Sequence, residues 1–154
     1  MEKEQRRPVF MQGLPIVVKS MSDVRKILRI YEDSVFRFRK DVKKIIDLLN
    51  PDEALYLLQT VSEAKVTRVN SNRQLLESGV GVVFASAKRF LIQGREANEV
   101  FECPIGEIQS IGKYSHLITF STQTMSFEFE TGGQTSHVRS TLINLAIMAS
   151  LPQG

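Results

Sequence analysis

Few side chains in this sequence are suited to covalent or acid–base chemistry. Thiol and imidazole chemistry rests on Cys103, His116 and His137. A Cys–His nucleophile needs a thiolate of lowered pKa beside its base. Cys103 instead precedes Pro104 at the end of an extended apolar run, the setting of a small buried residue. His116 and His137 stand 21 residues apart with no carboxylate pattern around them, too few ligands for a metal. His137 falls at the start of a helical pattern, where a surface or capping role is expected. Asp52-Glu53 and the Glu128/Glu130 pair read as a solvated cap and a solvated strand face. Gly79-Val80-Gly81 lacks the third glycine of a dinucleotide fingerprint and precedes a strand, whereas that fingerprint follows one. Gly132-Gly133 reads as a tight turn into a helix. The expectation is a protein with no catalytic residues, no metal site and no cofactor.

Recognition by charge is better supported. Arg37, Arg39, Lys40, Lys43 and Lys44 cluster around Asp41, and Lys65, Arg68 and Arg73 form a second basic stretch. Both sets are candidates for contact with an anionic membrane surface. The net charge of +3 hides an asymmetry, with 12 Lys+Arg against 7 Asp+Glu in residues 1–50 and 8 against 10 in residues 51–154. A charge of +3 over 154 residues is too thin a footprint for nucleic acid as the partner. Tyr31 and Phe38, although interleaved with Arg29, Arg37 and Arg39, belong to an apolar seam and not to a base-stacking surface.

A composition of 42% hydrophobic and 24% charged residues excludes collagen-like and wholly disordered classes. One cysteine excludes an internal disulfide and fits a reducing compartment. No apolar run approaches the roughly 18 residues needed to span a bilayer, so the expected location is the cytoplasm, at most on the periphery of a membrane.

The elements that must position these residues fall into three stretches. Residues 1–20, with Pro8, Gly13 and Pro15, read as an irregular arm in which Pro15–Val18 can dock as a short extended piece. Residues 21–50 read as one long amphipathic helix, capped by Ser22 with Asp23 in its first turn and ended by Asn50-Pro51. Val24, Leu28, Tyr31, Val35, Phe38, Val42, Ile45 and Leu49 recur at spacings of 4, 3, 4, 3, 4, 3 and 4, the seam of a coiled coil. Such a seam either lies on its own domain or meets a second chain. The second reading makes it an interaction seam for a homo-oligomer or another protein partner.

Residues 51–154 are largely extended, with short apolar runs at Gly81–Ala85 and Arg89–Ile92. Met125, Phe127 and Phe129 alternate with Ser126, Glu128 and Glu130, a half-buried strand. A closing helix comes last, with Val138, Leu142, Leu145 and Ala149 on one face. Asn50-Pro51-Asp52-Glu53 has the residue types of a helix start, and propensity alone makes Ala54–Ala64 helical.

The run Gly81-Val82-Val83-Phe84-Ala85-Ser86-Ala87-Lys88-Arg89-Phe90-Leu91-Ile92 resembles the core motif of the bacterial pleckstrin-homology-like (PH-like) domains. Pro104-Ile105-Gly106-Glu107-Ile108-Gln109-Ser110-Ile111 is similar to that family's next element, and the subsequent strands and helix match in order and length. The resemblance covers residues 52–150. It implies an α+β, mainly β fold: a bent antiparallel seven-stranded barrel or sandwich capped by the C-terminal helix, with Ala54–Val61 as its first strand. It also implies an interaction or assembly module without catalytic residues, and makes Lys88-Arg89 an ordinary turn motif. Ser86-Ala87 stands where the family usually has Thr-Asn, a departure expected to weaken the turn's side-chain hydrogen bonding.

Overall fold

The computed structural model describes residues 13–31, 38–76, 81–94, 100–131 and 134–151, with backbone only for 38–41. In chain order they form β1 (Ile16–Val17), α1 (Met21–Ile30), α2 (Phe38–Leu48), β2 (Ala54–Arg68), β3 (Gln74–Leu76) and β4 (Gly81–Ser86). Then come β5 (Arg89–Gly94), β6 (Val100–Pro104), a 3-10 turn at Ile105–Glu107, β7 (Gln109–Tyr114), β8 (Leu117–Ser121), β9 (Met125–Thr131) and α3 (Thr135–Ser150).

The 15-residue β2 organises the sheet. Its first half, Leu55 to Val61, pairs with β4, and its second half, Val61 to Arg68, pairs with β9. The register slips between Val61 and Glu63, where the strand passes from one partner to the other; such irregularities bend a strand and increase its twist. Leu57 to Val61 are buried on both faces, while beyond the slip Ala64 and Val66 turn inward and Glu63 outward. The capping chemistry of Asn50–Glu53 is present but closes a turn instead of opening a helix. The Asn50 N–H donates to Glu53 Oε1 at 3.0 Å, the Glu53 N–H donates to Asn50 O at 3.1 Å, and Asp52 at φ +60° leaves helical geometry. Tertiary burial on both faces overrides the helical propensity of Ala54–Ala64.

The strand path runs β6-β5-β4-β2-β9-β8-β7, with β1 and β3 as short additions on β2. β6 and β7 do not pair, so the seven strands of this path and their two additions form an open antiparallel sheet; of the bent barrel or sandwich expected, a closed barrel is not observed. The 3-10 turn joins its two ends, Pro104 brings no amide donor to the junction, and α3 packs on the turn and on β7. Ile105 and Ile108 are buried there. α3 buries Val138, Leu142 and Leu145 as its spacing indicates, while Ala149 is exposed. Inside the curve, Phe90 meets Phe120 edge-on at 4.9 Å and stacks on Phe129 at 5.6 Å, and Phe120 stacks on Phe127 at 4.8 Å.

The single long helix over 21–50 is not observed. α1 begins after the N-cap Ser20, two residues before the expected cap, and ends at the C-cap Tyr31. The Asp23 carboxylate accepts the Lys19 and Ser20 N–H groups at 2.9 and 3.2 Å. Of these contacts the Lys19 N–H does most to hold its pKa below the usual value.

Gly81 has no room for a side chain, because a Cβ there would collide with the Gln93 carbonyl oxygen across the β4–β5 ladder. Gly81→Ala is expected to cost about 1–3 kcal/mol, read from the shift of the urea midpoint. A change within about 0.5 kcal/mol would show that the two strands can separate at this point.

Candidate functional site

The apolar seam faces the chain's own core. Val24, Leu28, Tyr31, Val42 and Ile45 are buried, joined by Ile27, and Leu49 is half-buried. Val35 and the side chain of Phe38 lie outside the described residues. Between the two readings of the seam, the described side chains match packing on the same domain, so they are not displayed to a second chain. The reason is visible at Tyr31. Its hydroxyl donates to the Tyr56 carbonyl of β2 at 2.6 Å and lies 3.0 Å from Thr141 Oγ1 of α3, tying three elements together. Burial pushes the Tyr31 phenol up to about 12, with the Thr141 contact opposing, so it stays a neutral donor.

Arg89 is the second junction. Its Nε and Nη2 donate to the two Glu53 oxygens at 2.9 and 2.8 Å, Nη1 donates to Glu102 at 2.5 Å, and Nη2 also reaches the Leu48 carbonyl at 2.6 Å. The guanidinium lies 5.3 Å from the Phe84 ring centroid. One side chain thereby fastens the end of α2, the start of β2, β5 and β6. Burial acts to raise the Glu53 pKa, but hydrogen bonds from Arg89, the Asn50 N–H and Ser86 outweigh it and hold the carboxyl below its usual value. Glu53 first, and then Glu102, raise the Arg89 pKa further against the effect of burial. The turn before it is not weakened by serine: Ser86 Oγ accepts the Lys88 and Arg89 N–H groups, each at 3.2 Å.

The expected basic sets stay apart. Lys43 is exposed and Lys44 half-buried on α2, whose end is anchored at the start of β2. Lys65, half-buried opposite Glu128, and the exposed Arg68 lie in the far half of β2, with Arg73 exposed beyond it. Arg37 and the side chains of Arg39 and Lys40 lie outside the described residues. The cations displayed together belong to neither expected set: Arg25, Lys26 and Arg29, all exposed on the outer side of α1.

The fold also brings together the two histidines. The β7–β8 hairpin carries Lys113, Ser115 and His116 to one side of a cleft of about 350 Å³, and the start of α3 carries Ser136 and His137 to the other. Two bonds fix this corner: the Thr131 N–H donates to the His116 carbonyl at 3.0 Å, and the Thr131 and Thr135 hydroxyls are 2.6 Å apart. No spacing rule could have found the pair, because their proximity depends on the β8–β9 register. Among the described residues no group of three or more His, Cys, Asp or Glu could hold a metal. Cys103 is buried, its thiol pushed up to about 12 chiefly by burial and then by Glu107 and Glu102. No described helix is long and apolar enough to cross a membrane.

No family model matches this sequence, and no curated protein matches it. Similar solved structures include the N-terminal PH domain of human ARAP2, at 14% identity and a TM-score of 0.43, covering 63% of this chain and 85% of that one. The C-terminal domain of an unknown protein from Leishmania infantum is similar at 18% identity and a TM-score of 0.42, covering 71% of this chain and 94% of that one. Vav1 inhibited by an allosteric inhibitor is similar at 12% identity and a TM-score of 0.41, covering 80% of this chain but 32% of that one.

Proposed function

We propose that the chain is a non-enzymatic interaction module: a PH-like sheet-and-helix scaffold with its N-terminal helices built in, assembling with a protein partner that includes a second copy of itself. The observation that carries this reading is the mounting of α1. Its apolar side is committed to the core, so Arg25, Lys26 and Arg29 are held outward on a rigid support. Residues 51–154 carry 8 Lys+Arg against 10 Asp+Glu, with Glu63 exposed on β2. Opposite charge on the two parts of the chain makes copies complementary, and complementary fields speed and orient association. The buried, high-pKa Cys103 supports the non-enzymatic side of the reading.

The test is solution mass by light scattering across a concentration series at low salt and at about 1 M, where the screening length falls to roughly 3 Å. The expected result is a mass above 17.4 kDa at low salt that returns to it at high salt. Arg25→Glu combined with Arg29→Glu should abolish the assembly and leave the chain folded, at a cost of no more than about 1–2 kcal/mol because Arg29 stands in the last turn of α1. A 17.4 kDa species at every concentration and salt overturns self-association.

The same three cations, with Lys43, favour a second reading as a peripheral adaptor on anionic lipid, each cation near the surface contributing about 1 kcal/mol. Salt-sensitive co-sedimentation with phosphatidylserine vesicles, lost in the Arg25/Arg29 variant, would support it. Absence of binding at low salt would remove it.

A further inference from the structure

We propose that the His116–His137 cleft binds the phosphate group of a small phosphate monoester. The proposal is independent of the α1 surface. Three observations converge on it. First, the chain has two histidines, 21 positions apart, and the fold sets both on one cleft together with Lys113. Imidazole N–H groups and an ammonium are donors suited to phosphate oxygens, and hydrogen bonds that involve a charged partner are about twice as strong as neutral ones.

Second, among the described residues no carboxylate lines the cleft. Glu130, whose residue pairs with Leu117 next to the hairpin tip, is engaged with Ser62 Oγ at 3.3 Å. A site whose described lining offers ammonium, imidazole, hydroxyl and Gln134 amide donors and no carboxylate favours an anion; with two imidazoles as the metal-ligating side chains among those described residues it does not suit a transition metal. Third, the size selects the ligand. About 350 Å³ sits at the lower end of small-molecule sites, enough for a phosphate and a compact organic group. The hydroxyls of Ser115 and Ser136, one from each wall, supply neutral donors. The Thr131 bonds to His116 and Thr135 hold the two walls in register before any ligand arrives, which lowers the ordering cost of binding.

The experiment is calorimetric titration of the full chain with inorganic phosphate and with phenyl phosphate, at fixed ionic strength set by chloride. NMR follows the two imidazoles. Saturable binding is expected, with both imidazole signals moving together. His116→Ala combined with His137→Ala should weaken it by about tenfold or more, and Lys113→Gln by several-fold. All these side chains are exposed, so thermal midpoints should hold. Absence of saturable binding by either probe overturns the proposal, as does binding that the substitutions leave unchanged. Co-sedimentation with vesicles containing a monophosphorylated inositol lipid distinguishes the source. Vesicle binding lost in the double-histidine variant assigns the phosphate to a lipid headgroup; saturation by phenyl phosphate without vesicle binding assigns it to a free monoester. Either result supports the site.

Discussion

A chain beginning at Asn50 is expected to lose its cooperative unfolding transition and to bind a hydrophobic dye. The truncation removes Val24, Ile27, Leu28, Tyr31, Val42 and Ile45 from the core. Each buried large side chain contributes about 1.5–3 kcal/mol, so together they rival the roughly 5–15 kcal/mol that holds an ordinary domain together. It also uncovers the part of β2 on which α1 packs. Near-ultraviolet circular dichroism and a thermal scan of the shortened chain are the measurements. A sharp transition within a few degrees of the full-length value would show that the two helices are accessories to a domain complete from residue 50 onward. Tyr31→Phe in the full chain probes the same docking more gently. It removes the donor to the Tyr56 carbonyl and should cost about 1–2 kcal/mol.

Replacing Arg89 should come next in size. Its side chain is 17% exposed and that of Glu53 6%, so Arg89→Met strands a carboxylate with little water to replace its partner. Breaking a buried pair from one side costs about 3–5 kcal/mol, and here the Leu48 carbonyl and Glu102 lose their donor as well. Adding Glu53→Gln to Arg89→Met should recover part of the loss, because the stranded charge is gone. The pH dependence has a definite sign. The Glu53 pKa is lowered in the folded chain, so its contribution is present above the ordinary glutamate value and is lost as pH falls through the lower folded value. Glu53→Gln should therefore flatten the acid limb of the stability profile. A denaturant series at several pH values reads both effects, and an unchanged acid limb would show that Glu53 titrates alike in both states.

Much of the sheet was legible from side-chain period. Met125, Phe127 and Phe129 alternate because one face of β9 is core, and the closing helix announces itself through Val138, Leu142 and Leu145. The resemblance places Arg89 in an ordinary turn motif, and its partners Glu53 and Glu102, 36 and 13 residues away, have no local signature. The heptad seam was the misleading signal. Regular 3.5-residue spacing describes an apolar stripe, and a curved sheet can cover such a stripe in two pieces as well as a second helix can in one. The turn at Tyr31, set by bonds to Tyr56 and Thr141, depends on residues 25 and 110 positions distant. The cleft was illegible for the same reason, since pairing of β8 with β9 brings His116 to Thr131, four residues before α3 takes hold.

The division of β2 between two partners also dictates when this protein can fold. Its first half finds β4 within a few dozen residues, but its second half waits for β9, whose residues 125–131 come late in the chain. During synthesis, Ala64 and Val66 leave the ribosome long before the strand that will cover them, and contacts of such sequence separation form slowly. The interval before β9 emerges is when this chain is most open to capture by a chaperone or by another nascent copy.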